Sequence, residues 1–207
     1  MNHQNINIAE TIRNLESRNF NVLHCPDSAS ACEAILSLIP PKSRIGWGGS
    51  HTLSDMGLFE KLRQSTFILH DRSTAKTEQE RDEVYAKIQT CDYFLTGINA
   101  VTEDGQLVNM DGRSDRVSFL CFGPKHVIAV CGINKIVPDL ESAMARIKQK
   151  AAPENAVSLK RDTPCVHTGT CTDCRNPNRL CCNLVISSFC RTSGRITVVL
   201  VDETLGF

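Results

Sequence analysis

The sequence predicts an α/β fold, a mostly parallel sheet with helices on both faces and a cysteine-rich C-terminal loop. Short β-branched or aromatic runs alternate with stretches whose apolar residues recur at helical spacing, the pattern of strands joined by crossover helices. Val127-Ile128-Ala129-Val130-Cys131 is almost continuously apolar, as in a strand covered on both sides. With 207 residues, 41% hydrophobic and 22% charged, the chain is large enough to bury its own core, and residues 1–207 read as a single domain.

Taken in order, Ile6, Ile8, Ala9, Ile12 and Leu15 predict a helix over 6–18, and 20–25 a strand. Asp27 or Ser28 caps a helix through Ala31, Ala34, Ile35 and Leu38, which Pro40-Pro41 stops. A strand at 43–47, a helix at 52–64, a strand at 66–70, a charged helix at 76–90 and a strand at 92–96 follow. Asn99 to Met110 reads as a β-hairpin, because Asp104-Gly105 is a favoured tight-turn pair. A helix at 114–122 ends at Gly123-Pro124, and the strand 127–131 comes next. Pro138 suits the first turn of a helix through Leu140, Ala143, Met144 and Ile147. Ile196 to Val201 is the last strand. Segment 151–182 has no clear periodicity and is long for a structureless loop, so something other than a core is expected to hold it.

Lys+Arg and Asp+Glu each total 23, for a formal net charge of zero. That excludes the broad basic field of a nucleic-acid binder and gives no reason to expect a membrane partner. The first residues lack the charged and apolar regions of a signal peptide, and no apolar run is long enough to span a membrane, so a cytoplasmic protein is expected. In that reducing setting the 11 cysteines are not expected to form stable disulfides. Cys25, Cys32, Cys91, Cys121 and Cys131 read as small apolar packing residues.

Gly46-Trp47-Gly48-Gly49-Ser50 runs from a strand into a helix, where glycines let the backbone approach a ligand and free N–H groups attract anions. Thr52 and Asp55 have the spacing of a capping box. No Gly-Lys-Ser/Thr follows, and His51 breaks a Gly-x-Gly-x-x-Gly pattern. The plainer alternative is a tight turn without a ligand. Ligands of open α/β sheets sit outside the carboxyl ends of the strands, an edge that would bring Gly48, Gly49 and Ser50 together with Asn99. The polar residues after Asn99, notably Thr102 and Asp104, are further candidates, and Arg116 and Lys135 would pair an anionic substrate. Glu103 is the candidate general base or nucleophile, although a solvated charge beside the Asp104-Gly105 turn is the better reading. His24, His70 and His126 read as structural, and His51 as a ligand contact.

Cys165, Cys171, Cys174 and Cys181 supply four thiolates in one compact segment within 164–182. They suit tetrahedral zinc or an iron–sulfur cluster, and His167 could replace one of them. Lys160, Arg175 and Arg179 would offset the negative charge. The alternatives are disulfides, if the chain were secreted, and a metal-free, redox-sensitive loop.

Ile45-Gly46-Trp47-Gly48-Gly49-Ser50, Thr96-Gly97-Ile98-Asn99-Ala100-Val101-Thr102-Glu103-Asp104-Gly105, Gly132-Ile133-Asn134-Lys135, Ala152-Pro153-Glu154-Asn155 and the cysteine segment together resemble the lactate-utilisation (LUD-domain) family, in particular its small LutC/YkgG-type members. The resemblance implies a fold similar to the ribose-phosphate isomerase/glucosamine-phosphate isomerase/CoA-transferase group. It also implies a subunit or accessory of the oxidation of L-lactate to pyruvate, working beside iron–sulfur partners, and that setting favours a cluster over zinc. Asp115 stands where the family usually has Asn, and Cys182 adds a fifth thiol. An isomerase- or CoA-transferase-like enzyme acting on a phosphorylated or acyl substrate, and a non-catalytic ligand sensor, are the other functions in play. A homo-oligomer is compatible with all three.

Overall fold

The protein is described by a computed structural model covering residues 7–207, so Ile6 lies outside the described residues. The chain runs α1 (Ile8–Ser17), β1 (Asn21–Cys25), α2 (Ser28–Leu38), β2 (Arg44–Trp47), α3 (His51–Asp55), α4 (Leu58–Arg63), β3 (Ile68–His70), α5 (Glu78–Gln89), β4 (Tyr93–Gly97), β5 (Ala100–Thr102) and β6 (Leu107–Asp111). It continues with α6 (Asp115–Cys121), β7 (His126–Gly132), β8 (Ile136–Val137), α7 (Leu140–Arg146), α8 (Ala152–Ser158), α9 (Pro164–Thr168), β9 (Asn183–Ser187) and β10 (Ile196–Val201).

The main sheet has six strands in the order β1-β10-β7-β4-β2-β3, all paired in parallel. Alternation along each strand divides the core in two. Val127, Ala129 and Cys131 of β7 and Val198 and Leu200 of β10 pack with Leu15, Ile88 and Phe119 of α1, α5 and α6. Ile128, Val130, Val199 and Val201 face the opposite side, with Ile35, Leu53, Leu58 and Leu62 of α2, α3 and α4. This double burial is why β7 and β10 carry no polar stripe. A second sheet, β8-β5-β6-β9, buries Ala100 and Val108 against Ala143 and Ile147.

Local chemistry accounts for most boundaries. Asp27 and Asp139 cap α2 and α7 through Ser30 N and Ser142 N, and Thr77 with Glu80 forms a capping box on α5. Four sequence expectations need correction. The helix expected over 52–64 is broken into α3 and α4 at Gly57, whose φ of +70° lies in the left-handed region. Pro138 precedes the α7 cap and is not in its first turn. Residues 151–158 are helical rather than loop: a π-helical turn over Ile147–Ala151 carries the helix from α7 into α8 past Pro153, which has no N–H to donate. Cys121 is exposed, whereas Cys25, Cys32, Cys91 and Cys131 are buried.

Candidate functional site

The carboxyl ends of β2, β4 and β7 open into a cleft of about 470 Å³. Gly48 N donates to Leu95 O (3.1 Å), which joins the β2 exit to β4 and brings Gly49 and Asn99 to the same edge. Gly97 admits this closure, because a Cβ there would lie 2.6 Å from Ser50 Oγ, the group that caps α3 by accepting from Leu53 N (3.2 Å). A Cβ on Gly48 would meet Arg116 Cγ at 2.9 Å.

Of the residues proposed from sequence, Gly49, Ser50, Asn99, Arg116 and Lys135 line the cleft, and Gly48 supports its rim. Thr102, Glu103 and Asp104 do not line it. They form the turn of the β5–β6 hairpin, which docks on α1. Asn14 donates to Glu103 O (2.8 Å), and Arg18 pairs with Asp104 (2.7 Å), which is also bonded to Thr102 and Gln106. Gly105 packs so tightly that an added Cβ would be 2.6 Å from the Asn14 backbone. The turn is therefore a structural joint, and Glu103 offers the cleft no base or nucleophile.

Arg116 lines the cleft but has no donor to spare. Its Nε donates to Asp111 Oδ1 (2.9 Å), Nη1 to Gly97 O (2.9 Å) and Asn109 Oδ1 (2.7 Å), and Nη2 to Asn99 Oδ1 (2.9 Å) and Met110 O (3.1 Å). A guanidinium has five N–H groups. Arg116 thus acts as a hub that fixes the wall and not as an anion receptor. Asn99 Oδ1 also accepts from Met110 N (2.9 Å), which leaves its side-chain NH2 as the group that can meet a ligand.

Lys135, on the turn after β7, is 4% exposed, and its Nζ donates to Thr52 Oγ1 (2.6 Å). Burial draws its ammonium down to about 8, and Arg146 and Arg116 add to the effect. Cys131 and Asp55 pull the other way. Among the described residues no carboxylate lies within ion-pair reach of Lys135, nor of two further cleft cations, Arg113 and Arg161. Arg72 also lines the cleft, paired with Asp115 (3.1 Å). The sequence reading missed Arg72, Arg113 and Arg161. Arg72 had a usable signal, since it follows β3 at the same sheet edge as Gly49. His51 lines the cleft, its ring tilted against that of Phe207 with centroids 4.4 Å apart. His24 pairs with Asp202 (2.7 Å) and His126 stacks on Tyr93 (4.8 Å), both structural roles.

Cys165, Cys171, Cys174 and Cys181 border one small cavity of about 20 Å³, walled by Ala152, Pro153 and Ala156 of α8. Neither His167 nor Cys182 borders it. Arg179 Nη2 donates to Cys181 Sγ (3.4 Å), while Arg179 Nε is buried without a partner. Burial pushes the Cys181 thiol up against the pull of Arg179, with Cys171 and Cys174 adding to the rise. Four converging thiols beside a guanidinium fit a thiolate-held centre by their chemistry. Among the described residues, however, no three His, Cys, Asp or Glu side chains are close enough to hold a single metal ion. The two cavities share walls: Ala151, which precedes α8, and Asn155 of α8 border the cleft, Ala152 and Ala156 of α8 border the thiols, and Leu180 borders both. Cys182 N donates to Asp111 O (2.9 Å), tying the loop to the end of β6.

Among the described residues no helix is long and apolar enough to cross a membrane. No curated protein matches the chain. A DUF162-family protein from Deinococcus radiodurans is similar in structure, with a TM-score of 0.55 and 15% identity over 94% of this chain and 95% of that one. A ribose 5-phosphate isomerase A from Neisseria gonorrhoeae gives a TM-score of 0.36 at 13% identity, over 55% of this chain and 54% of its own. The LUD-domain family matches residues 8–201, nearly the whole of the parallel sheet and its cleft, and the chain belongs to that family.

Proposed function

We propose that this LUD-domain chain binds a small anion in the cleft at the ends of β2, β4 and β7, as a subunit or accessory of the oxidation of L-lactate to pyruvate. The observation that carries the reading is the excess of positive charge there: Lys135, Arg113 and Arg161 have no carboxylate partner among the described residues, while the acidic Asp111 and Asp115 are engaged by Arg116 and Arg72. Among the described residues Lys135 is buried without a counterion, and the exposed Arg113 and Arg161 add positive charge that no carboxylate offsets, which favours an anionic guest. The side-chain NH2 of Asn99 adds a neutral donor that would orient a carboxylate or phosphate. Calorimetric titration with L-lactate, pyruvate and inorganic phosphate tests this. One of them should give saturable heat, and Arg161→Ala should weaken it by about tenfold or more, the scale of one charge-assisted hydrogen bond. Absence of saturable binding by all three would remove the reading.

Cys165, Cys171, Cys174 and Cys181 would hold an iron–sulfur cluster or zinc. A cluster would supply one-electron chemistry, and zinc would order the loop. Iron–sulfur subunits of lactate oxidation are the partners this reading implies. Iron, zinc and labile-sulfide analysis of anaerobically purified protein decides between the centres, and protein free of all three would exclude both.

A further inference from the structure

We propose that Lys135 is a covalent site, whose side-chain amine condenses with the carbonyl carbon of a small anionic carbonyl compound held in the cleft. This deepens the anion-binding reading and rests on it. An imine-forming lysine needs a neutral amine, an open approach, and a means of holding the carbonyl still. The amine is withdrawn from water at 4% exposure, borders the cleft, and has one hydrogen-bond partner among the described residues, the uncharged Thr52 hydroxyl. Every charged neighbour bears on its protonation. Arg116 of α6 and Arg146 of α7 favour the neutral form, while Cys131 of β7 and Asp55 of α3 oppose it. The result is an amine near 8, so that about a tenth is neutral at pH 7, against less than a thousandth for an exposed lysine.

The rest of the cleft selects the partner. Arg113 and Arg161 offer guanidinium groups to a carboxylate or phosphate on the same molecule. Gly49 and Gly97 let the Arg72 guanidinium and the Ser50 hydroxyl lie directly against the backbone of the cleft. In the reaction the Nζ lone pair attacks the carbonyl carbon to form the C–N bond of a carbinolamine. The carbonyl oxygen then leaves as water with both amine hydrogens, giving a C=N bond and no net redox change. Thr52 Oγ1, already bonded to Nζ, is placed to pass the first proton to the departing oxygen.

Borohydride reduction of the wild-type protein with each of three probes tests this: pyruvate, glycolaldehyde phosphate and the carbonyl-free L-lactate. The first two distinguish a carboxylate from a phosphate handle. Reduction should leave a secondary amine that is stable to digestion, on the peptide containing Lys135. It should form with at least one carbonyl probe and not with L-lactate, and it should be half-maximal near the pH at which the amine loses its proton. Because the peptide map is made on wild-type protein, the result does not depend on whether a Lys135 variant folds. Calorimetric binding of a carbonyl probe without an adduct, or adducts scattered over exposed lysines, would overturn the covalent proposal and leave the anion site standing. Absence of binding by every probe would remove both.

Discussion

Replacing Lys135 with methionine removes a charge from a nearly closed site while keeping an unbranched side chain. In the folded chain the ammonium is drawn from 10.5 to about 8, chiefly by burial. Each pKa unit corresponds to about 1.4 kcal/mol, so the charged lysine costs the native state about 3 kcal/mol. Below the folded value both states are protonated and the cost is present in full. Between the folded and unfolded values the native amine has lost a proton that the unfolded chain still holds, and native stability rises with pH. Above 10.5 both states are neutral and the cost is gone. Methionine has no such dependence, so the variant's advantage over wild type should shrink by about 2 kcal/mol from about pH 7.5 to about pH 9.5. The absolute offset is smaller, because the lost bond to Thr52 is worth about 1 kcal/mol. Cys91 and Cys131, whose thiols burial pushes up to about 11, stay largely protonated over this pH range, and removing Lys135 only pushes Cys131 further up, so the difference isolates the lysine. Urea unfolding of both proteins at the two pH values, under reducing conditions, measures it. Parallel pH dependences would refute the reasoning.

Arg116→Met strands the acceptors of Asp111, Asn99 and the fully buried Asn109, and should lower unfolding free energy by about 3 kcal/mol or more in denaturant titration. Gly97→Ala pushes against Ser50 Oγ; loss of the α3 cap should cost about 1 kcal/mol and weaken anion binding, read by thermal melting and calorimetry. Glu103→Gln should leave anion affinity unchanged, because the bonds recorded for Glu103 are made by its backbone, to Asn14 and Val137, away from the cleft.

The parallel sheet was legible because its central strands are apolar on both faces, as in Val127 to Cys131, and the β5–β6 pair of the second sheet was legible because Asp104-Gly105 announces its own hairpin. Strand β9 was not legible. Its Leu184 and Ile186 are each 41% exposed at the edge of the second sheet, so no apolar-in, polar-out rhythm marks it. The helix past Ala151 was hidden by Pro153, which reads as a stop unless a π turn absorbs it. The glycine rim of the site could be found from strand order, since Gly49 and Asn99 directly follow neighbouring parallel strands. Of the missed cations only Arg72 could be, since it follows β3 at that edge; Arg113 and Arg161 lie on unrelated elements and meet the cleft only in three dimensions. Spacing also could not show that Arg116 is used up by its own scaffold, because its acceptors are partly main-chain carbonyls.

The partition formed by α8 and Leu180 is only one helix thick. If the sulfur side fills, contracts on oxidation or empties, the displacement has to be taken up by the same backbone that frames Asn155 and Ala151 on the other side. Two guests separated by one shared wall cannot have independent affinities if either moves it. Whatever factor the thiol guest applies to the anion's dissociation constant, the anion returns to the thiol guest in equal measure.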